Sequence, residues 1–533
     1  MKLNNKELEN KAEWTSKGYN VLSYDRKSMI EKTYNNPMWV HFGAGNIFRI
    51  FPAKLCQTLL EKGLADRGII VGEGFDYEII SKAYAPFDNL TLMVTLKADG
   101  TIDKDVVGSV AEAYPFDYSF SAEWKRFEEV FESESLQMVS FTITEKGYAL
   151  KNPQGEFLPA YVEDFKDGPG KGRMLFSRLT ELLYKRFMKT GAPIALCSMD
   201  NCSHNGEKVE NAVKTIASKW GENGFVDGSF MDYLNTKVSY PWSMIDKITP
   251  RPDKSVAAML SADGFENTDV IVTNRNTYTA AFVNAEECQY LVIEDDFPNG
   301  RPALEKAGVY FTDRETVNKV EKMKVCTCLN PLHTALAVYG CLLGYDLISS
   351  EMKDEDLVSL IKRIGYTEGL PVVVDPGIIE PRKFIDEVVN LRLPNPFMPD
   401  TPQRIATDTS QKLSIRFGET IKAYIKEGRD LGDLKAIPMV YAGWMRYVLG
   451  LDDDLNEFTP SPDPLLEYAR NELKNVGIGK KVEAEEIKSL LENESIFGVD
   501  LIKTGLADIV VKDLNSLLKG KGAVRETLKN CLK

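Results

Sequence analysis

Met38-Trp-Val-His-Phe-Gly-Ala-Gly-Asn-Ile-Phe-Arg-Ile-Phe-Pro-Ala-Lys-Leu-Cys-Gln-Thr-Leu-Leu-Glu-Lys-Gly63 joins an apolar run, a glycine turn and an amphipathic segment. The apolar run predicts a buried strand, and apolar residues at helical spacing then predict a helix. Glycine lets the backbone approach a pyrophosphate closely, and a helix start offers free N–H groups to it. The third glycine of the usual dinucleotide motif is absent. The turn therefore predicts nucleotide contacts from five residues: Gly43, Ala44, Gly45, Asn46 and Ile47.

Apolar, β-type runs continue beyond this stretch and alternate with a helical pattern at 173–188. Such alternation is typical of a doubly wound parallel sheet, so we predict an α/β fold with a Rossmann-like domain at 38–318. Residues 1–37 are expected to form a helical or irregular surface extension that Trp14 and Tyr19 anchor. The predicted strands lie at 67–76, 90–97, 106–110, 138–144 and 193–199.

Two acidic residues end the strand that follows the glycine turn. Glu73 and Asp76 come roughly 30 positions after the glycines, where a carboxylate can accept both ribose hydroxyls and repel a 2′-phosphate. That favours NAD over NADP, with Glu73 the first candidate and Asp76 the second. A solvated acid at a strand end is the alternative interpretation of either residue.

Residues 319–533 are predicted to form a second, mainly α-helical domain. Its first helix follows Lys322-Met-Lys-Val-Cys-Thr-Cys-Leu-Asn-Pro-Leu-His333, where Asn330 suits an N-cap and Pro331 suits the first helical position. The positive end of a helix favours a neutral imidazole and a developing alkoxide. The predicted helices lie at 331–344, 354–364, 410–427, 433–449, 463–474, 483–492, 498–505 and 507–519.

Three side chains at this helix start have the chemistry of a carbonyl site. Asn330 can polarise a carbonyl that becomes an alkoxide, and a neutral His333 can help. Lys324 lies just upstream and, if desolvated, can exchange a proton near neutral pH. The alternative is that Asn330 only caps, His333 bonds locally and Lys324 is solvated.

Composition narrows the class of protein. A net charge of −14 over 533 residues argues against a general nucleic-acid or anionic-membrane binder. The N-terminus has no apolar signal region, and no uninterrupted apolar run approaches the ~18 residues that a spanning helix requires, so we expect a cytoplasmic protein. The eight scattered cysteines are expected to be reduced. Neither HExxH nor paired CxxC occurs, so no metal site is expected.

Several co-linear motifs resemble the mannitol dehydrogenase family of polyol-specific long-chain dehydrogenases, over about residues 38 to 420. They are His-Phe-Gly-Ala-Gly-Asn-Ile-x-Arg at 41–49, Thr-Ile-Thr-Glu-Lys-Gly-Tyr at 142–148, Met-Asp-Asn-x-x-x-Asn-Gly at 199–206 and Val-Ile-Glu-Asp-Asp-Phe-Pro-Asn-Gly-Arg-Pro-Ala-Leu at 292–304. The resemblance implies that Lys324 is the general acid/base, that Asn330 and Asn201 stabilise an oxyanion and that His333 orients the substrate. It also implies substrate contacts from Asp246, Arg404 and Lys412.

This chain departs from the family at the lysine. The family pattern has four residues between lysine and asparagine, whereas five separate Lys324 from Asn330. Either Lys324 reaches the site through a small bulge in extended chain, or Lys322 is the general acid/base. We favour Lys324.

The whole chain looks most like the family's fructuronate-reducing members, which implies NAD-dependent interconversion of D-mannonate and D-fructuronate. Tagaturonate/altronate and fructose/mannitol are the alternative substrate pairs. Family members that act on neutral polyols have a cation pair comparable to Arg404 and Lys412, so this pair does not decide between acid and neutral substrates. The alternative from another functional class is an NAD-binding protein without catalytic activity. The shifted position of the lysine relative to the family pattern is the reason to consider it. The expected partners are a small sugar acid or polyol, in a monomer or small homo-oligomer.

Overall fold

A computed structural model describes residues 1–531 of the chain, which divide into two compact units. Unit 1 comprises Met1–Leu96 and Thr101–Asn318, and unit 2 comprises Lys97–Gly100 and the chain from Lys319 onward. All strands of the described residues lie in unit 1: β1 (Tyr19–Asn20), β2 (Trp39–Phe42), β3 (Ile69–Glu73), β4 (Thr91–Leu96), β5 (Ile102–Val107), β6 (Val110–Pro115), β7 (Met138–Phe141), β8 (Ile194–Ser198), β9 (Val238–Ser239), β10 (Ser243–Asp246), β11 (Ile271–Val272), β12 (Tyr278–Thr279), β13 (Phe282–Glu286), β14 (Tyr290–Glu294) and β15 (Tyr310–Thr312).

Unit 1 is built on a six-stranded parallel sheet with the order β6-β3-β2-β7-β8-β9. The chain order reverses beside β2, since β3 lies on one side of it and β7 on the other. Open α/β sheets bind ligands outside the carboxyl ends of the strands at such a reversal. The predicted doubly wound α/β fold is confirmed, and its switch point lies at the glycine turn after β2.

Both faces of this sheet are buried because its strands carry apolar residues at successive positions. Trp39 of β2 belongs to one core cluster and its neighbour Val40 to the other. The two clusters are covered by helices on opposite faces, α4 on one and α5, α7 and α8 on the other. The helices that begin in unit 1 are α1 (Lys11–Ser16), α2 (Arg26–Asn35), α3 (Asn46–Ile50), α4 (Pro52–Glu61), α5 (Ser121–Glu132), α6 (Pro159–Asp167), α7 (Leu175–Lys189), α8 (Asn205–Glu222), α9 (Gly228–Thr236), α10 (Lys254–Ala262) and α11 (Arg314–Met323).

Unit 1 also contains smaller sheets. The predicted anchors of residues 1–37, Trp14 and Tyr19, are buried as expected, but the segment also contributes a strand that was not predicted, because β1 pairs in parallel with β5 in a four-stranded sheet. The predicted strand at 106–110 is instead the junction of β5 and β6. Gly108 lies between them, where an added Cβ would come within 2.7 Å of the Leu22 side chain.

The regular elements in the described residues of unit 2 are helices, as predicted, apart from one isolated β-bridge between Leu451 and Glu457. The predicted helix at 498–505 is wrong, because Gly498 ends α21 in a left-handed conformation and Asp500 accepts hydrogen bonds from the two backbone N–H groups of Ile502 and Lys503. The helices are α12 (Asn330–Leu342), α13 (Ile348–Glu351), α14 (Glu355–Lys362), α15 (Pro381–Glu387), α16 (Pro402–Ile405), α17 (Glu419–Glu427), α18 (Ala436–Val448), α19 (Leu466–Glu472), α20 (Lys488–Leu491), α21 (Glu494–Phe497), α22 (Ala507–Leu517) and α23 (Ala523–Cys531).

Unit 2 also contains four π-helical turns, Lys324–Cys328, Arg363–Gly369, Val388–Arg392 and Ser414–Gly418. A π-helical turn takes one extra residue into a helix and is frequent at functional sites. The turn Lys324–Cys328 joins α11 to α12, so helical backbone runs from Arg314 to Leu342. By length and composition that run could cross a membrane. However, 72% of its most apolar 18-residue stretch is buried inside the protein, as is usual for a core helix.

Candidate functional site

The glycine turn after β2 contains two glycines, Gly43 and Gly45, and glycine has a different structural effect at each position. Gly43 has a φ of +105°, and a Cβ there would lie 2.2 Å from the carbonyl oxygen of Thr142, so only glycine fits. Gly45 has an ordinary φ of −73°, and a Cβ there would meet nothing within 4 Å. Glycine at position 45 therefore keeps open a space in front of the first turn of α3. An open space bordered by backbone N–H groups fits the pyrophosphate of a dinucleotide.

The side chain of Asn46 holds this turn in place. Its Nδ2 donates to the carbonyl oxygen of Tyr278 (3.1 Å), and its Oδ1 accepts from the hydroxyl of Thr279 (2.8 Å). Both partners lie at the β11–β12 hairpin. The side chain of Asn46 is thus engaged within the protein, and nucleotide contacts from Asn46 and its neighbours stay a prediction.

The two acidic residues after β3 are buried, so the alternative of solvated acids is wrong. Glu73 accepts hydrogen bonds from the backbone N–H groups of Ala44 (2.8 Å), Phe75 (2.8 Å) and Asp76 (3.0 Å). Burial raises the pKa of Glu73, and the three N–H donors act in the opposite direction. Asp76 accepts from two threonine hydroxyls of the same hairpin, Thr273 and Thr277, at 2.6 Å each. Each carboxylate therefore has an internal structural role, and ribose binding by either stays a prediction.

The loops after β7 and β8 are tied together by Asp200. Its carboxylate accepts from the backbone N–H groups of Ile143 (2.7 Å) and Thr144 (3.0 Å) and from the hydroxyl of Tyr148 (2.6 Å). Asn201 follows directly and is exposed at the carboxyl end of β8. The shared Thr-Ile-Thr-Glu-Lys-Gly-Tyr and Met-Asp-Asn motifs therefore form one connected surface that presents Asn201.

Asp246, the predicted substrate contact, is the last residue of β10. It is buried and lies opposite Tyr290 in the antiparallel pairing with β14. The geometry of unit 1 places it in a three-stranded sheet, separate from the six-stranded sheet that carries the glycine turn.

In unit 2, the sequence interpretation of the stretch before α12 needs two corrections. Asn330 is not an N-cap: Leu329 occupies that position, and Asn330 is the first helical residue. Lys324 is not in extended chain but begins the π-helical turn, where the N–H of Leu329 donates to the carbonyl oxygen of Lys324 across five residues (3.1 Å). The π-helical turn therefore accommodates the extra residue between lysine and asparagine.

Burial distinguishes the two candidate lysines. Lys324 is only 4% exposed, whereas Lys322, on the last turn of α11, is exposed. A buried ammonium is shielded from water in the way that an acid/base group requires. Lys324 is thus the better placed of the two.

His333 lies in the first turn of α12, and its neutrality has a different cause from the one predicted. The helix α12 continues from the π-helical turn, so the backbone N–H of His333 already donates to the carbonyl oxygen of Leu329 (3.1 Å). The ring of His333 therefore does not lie at a helix N-terminus with free N–H groups. Burial lowers the pKa of His333 to about 4, and Asp400, with Oδ2 3.5 Å from Nε2, acts in the opposite direction. Nε2 is buried and has no hydrogen-bond partner within residues 1–531.

Arg416, Arg404 and Arg392 lie close enough to this imidazole to lower its pKa. Arg404 forms an ion pair with Asp400 through Oδ1 and is largely exposed. Lys412 donates to the carbonyl oxygens of Ile405 (3.1 Å) and Thr407, and burial lowers its pKa to about 8. The two predicted sugar-binding cations thus lie on one segment, and Asp400 connects Arg404 to His333.

Two further residues of this cluster were missed by the sequence interpretation. Asp400 lies outside every predicted helix and strand, so no pattern marked it. Arg416 donates to the hydroxyl of Thr334 through Nη1, and burial lowers its pKa to about 10. Arg416 lies four residues after Lys412 within a predicted helix, and that spacing was the available signal.

The described part of the chain contains no group of three or more His, Cys, Asp or Glu side chains close enough to hold a metal ion. Its seven cysteines with described side chains form no disulfide, and the side chain of Cys531 lies outside the described ones.

Comparison with known proteins covers both units. Residues 37–306 match the mannitol dehydrogenase Rossmann domain, and residues 316–518 match the mannitol dehydrogenase C-terminal domain. The chain is 49% identical to the D-mannonate oxidoreductase of Thermotoga maritima, over 99% of this chain and 98% of that protein.

Two solved structures share the fold. A D-sorbitol dehydrogenase in substrate-free form matches with a TM-score of 0.82 and 24% identity, over 99% of this chain and 100% of that one. The mannitol 2-dehydrogenase of Pseudomonas fluorescens, solved as a ternary complex with NAD and D-mannitol, matches with a TM-score of 0.69 and 25% identity, over 100% and 99% of the two chains.

Proposed function

The chain belongs to the mannitol dehydrogenase family, and we propose that it is an NAD-dependent oxidoreductase that interconverts D-mannonate and D-fructuronate. The observation that carries the substrate assignment is the identity with the Thermotoga maritima D-mannonate oxidoreductase, which extends through both units. The cation-rich surroundings of His333 support a substrate that carries a carboxylate.

NAD, when bound, supplies the carbon that accepts or donates a hydride. The chain's contribution to binding it is the turn Gly43–Gly45, whose open space admits phosphate oxygens to the backbone N–H groups of α3. Glu73 keeps that turn rigid through Ala44. The buried carboxylates of Glu73 and Asp76 disfavour a 2′-phosphate nearby, which supports NAD over NADP.

Proton transfer is assigned to Lys324. During reduction its ammonium gives a proton to the carbonyl oxygen as that oxygen gains negative charge, and during oxidation its amine takes the hydroxyl proton. A lysine in this role acts in place of a metal ion. Asn330 and Asn201 donate hydrogen bonds to the developing alkoxide, which stabilises the transition state.

The remaining polar groups orient the sugar. His333 is neutral at neutral pH, and in its Nε2–H tautomer it can donate to one substrate oxygen. Asp246 can accept from hydroxyl groups, whereas Arg404 and Lys412 can donate to them or to a carboxylate.

Reduction of three ketoses by NADH tests this proposal. We expect kcat/KM for D-fructuronate to exceed that for D-tagaturonate and D-fructose by at least ~10-fold each, from absorbance at 340 nm. A preference for D-fructose would remove the sugar-acid assignment, and a preference for D-tagaturonate would replace it with altronate oxidoreduction. NADH binding without turnover of any of the three would support a binding-only protein.

A further inference from the structure

The positive side chains of Arg404, Lys412 and Arg416 are not equivalent, because their partners differ. Arg404 is neutralised by Asp400, and Lys412 is held by two backbone carbonyls. Arg416 has no carboxylate in ion-pair range within residues 1–531, and its protein hydrogen-bond partner there is the neutral hydroxyl of Thr334. A guanidinium has five N–H donors, so most of those on Arg416 have no protein acceptor in the described chain.

An unpaired, largely buried guanidinium is destabilising unless an anion neutralises it. Removing a cation from water has a free-energy cost that only a close negative charge or several hydrogen bonds offset. Burial is the cause that lowers the pKa of Arg416, and no acidic residue acts against it. The protein therefore carries at this position a cation that lacks its counterion.

Arg416 is fixed to the same turn as the proposed catalytic residues. The Thr334 hydroxyl that accepts its hydrogen bond donates in turn to the carbonyl oxygen of Asn330 (2.9 Å). Thr334 directly follows His333, and Arg416 is one of the cations that lower the pKa of that imidazole. Within residues 1–531, the guanidinium of Arg416, which has no carboxylate partner, is therefore linked through Thr334 to the helical turn that carries His333, whose Nε2 has no hydrogen-bond partner.

We propose that Arg416 is the specificity-determining residue that binds the carboxylate of the sugar-acid substrate, with Nε2 of His333 donating to the same group. This inference rests on the proposed function and deepens it, because it assigns the preference for acid over neutral substrates to one side chain. A carboxylate accepts parallel hydrogen bonds from a guanidinium, which a sugar hydroxyl cannot do equally well. The substrate thus supplies the missing counterion.

The test compares acid and neutral substrates in three variants. Arg416→Gln removes the charge, Arg416→Lys keeps it without the planar fork, and Arg429→Gln removes an exposed arginine that pairs with Glu427. We expect Arg416→Gln to lower kcat/KM for D-fructuronate by about 30-fold or more, mainly through KM, and that for D-fructose by less than about 3-fold. Arg416→Lys should restore part of the loss, and Arg429→Gln should change neither substrate.

Binding gives a second readout that does not need turnover. We expect D-mannonate, in the presence of NAD, to bind Arg416→Lys more weakly than wild type, while D-mannitol binds both equally. This measurement remains informative if Arg416→Gln does not fold.

The outcomes separate the inference from the proposed function. An equal loss for acid and neutral substrates, or no loss for either, would overturn the role of Arg416 even if wild type reduces D-fructuronate. If wild type instead reduces only D-tagaturonate, the proposed function fails. The same variants measured on that acid then decide the role of Arg416.

Discussion

Nε2 of His333 lies 3.5 Å from Oδ2 of Asp400, too far for a good hydrogen bond but close enough for electrostatic attraction. Burial nevertheless lowers the pKa of His333 to about 4 against that attraction. The unfolded chain takes up this proton below about pH 6.5, whereas the folded protein resists it until about pH 4. Because the unfolded state binds more protons in that window, stability falls as pH falls through it.

His333→Gln should therefore make the protein less sensitive to acid. The wild type should lose up to about 3 kcal/mol from this imidazole between pH 6.5 and pH 4, and the variant should not. Thermal unfolding at several pH values measures the difference, with the exposed His204→Gln as the control that retains the wild-type slope. Equal slopes in wild type and His333→Gln would mean that this ring is not the titrating group.

Lys412 should make the binding of a sugar acid weaken as the pH rises into the alkaline range. Burial lowers its pKa to about 8, so its charge is present below that pH and is lost above it. We expect the Kd of D-mannonate with NAD to rise about 10-fold between pH 7 and pH 9.5, as a charged donor is lost. Lys412→Arg keeps its charge and should flatten this dependence in a calorimetric titration. Lys412 acts here through its positive charge, beside the direct contact proposed for Arg416, so a pH-independent Kd in the wild type would mean that this charge does not contribute to binding.

The two glycines of the nucleotide turn should respond oppositely to the same substitution. Gly43→Ala places a Cβ against Thr142 at a φ of +105°, and should destabilise unit 1 by at least about 2 kcal/mol in chemical denaturation. Gly45→Ala places a methyl group in open space, so it should fold normally but bind NADH at least ~10-fold more weakly. Normal NADH binding by Gly45→Ala would move the pyrophosphate away from this turn.

Lys324→Met and Lys322→Met separate the two lysines. General acid–base groups contribute roughly 10²- to 10⁴-fold, so Lys324→Met should lower kcat by that factor while NADH binding persists. The exposed Lys322→Met is the matched control and should retain turnover. Full activity in Lys324→Met, or its loss in Lys322→Met, would reverse the assignment.

Periodicity predicted much of the fold. Apolar runs of four to six residues and the glycine turn located β2, β3, β4, β7 and β8, because a sheet buried on both faces needs apolar residues at successive positions. The burial of Trp14 and Tyr19 was predicted, but the strand β1 was missed, because two residues in polar sequence show no periodicity and only the partner strand β5 reveals the pairing.

The candidate site was harder to predict than the fold. The extra residue between Lys324 and Asn330 is visible in the sequence, but tertiary packing decides whether an insertion becomes a bulge or a π-helical turn. The hydrogen-bond partners of Glu73 are backbone N–H groups. Every residue except proline has such a group, so the sequence could not predict these bonds. Arg416 looked like an ordinary helical arginine, because its missing counterion is a property of the folded chain.

Oxidation of D-mannonate by NAD, with product identification, tests the central claim most directly. The account predicts that NADH and D-fructuronate form in equal amounts, and that D-altronate and D-mannitol are oxidised at least ~10-fold more slowly. Oxidation of D-altronate or D-mannitol in preference to D-mannonate would contradict the account, and so would NAD binding without any turnover.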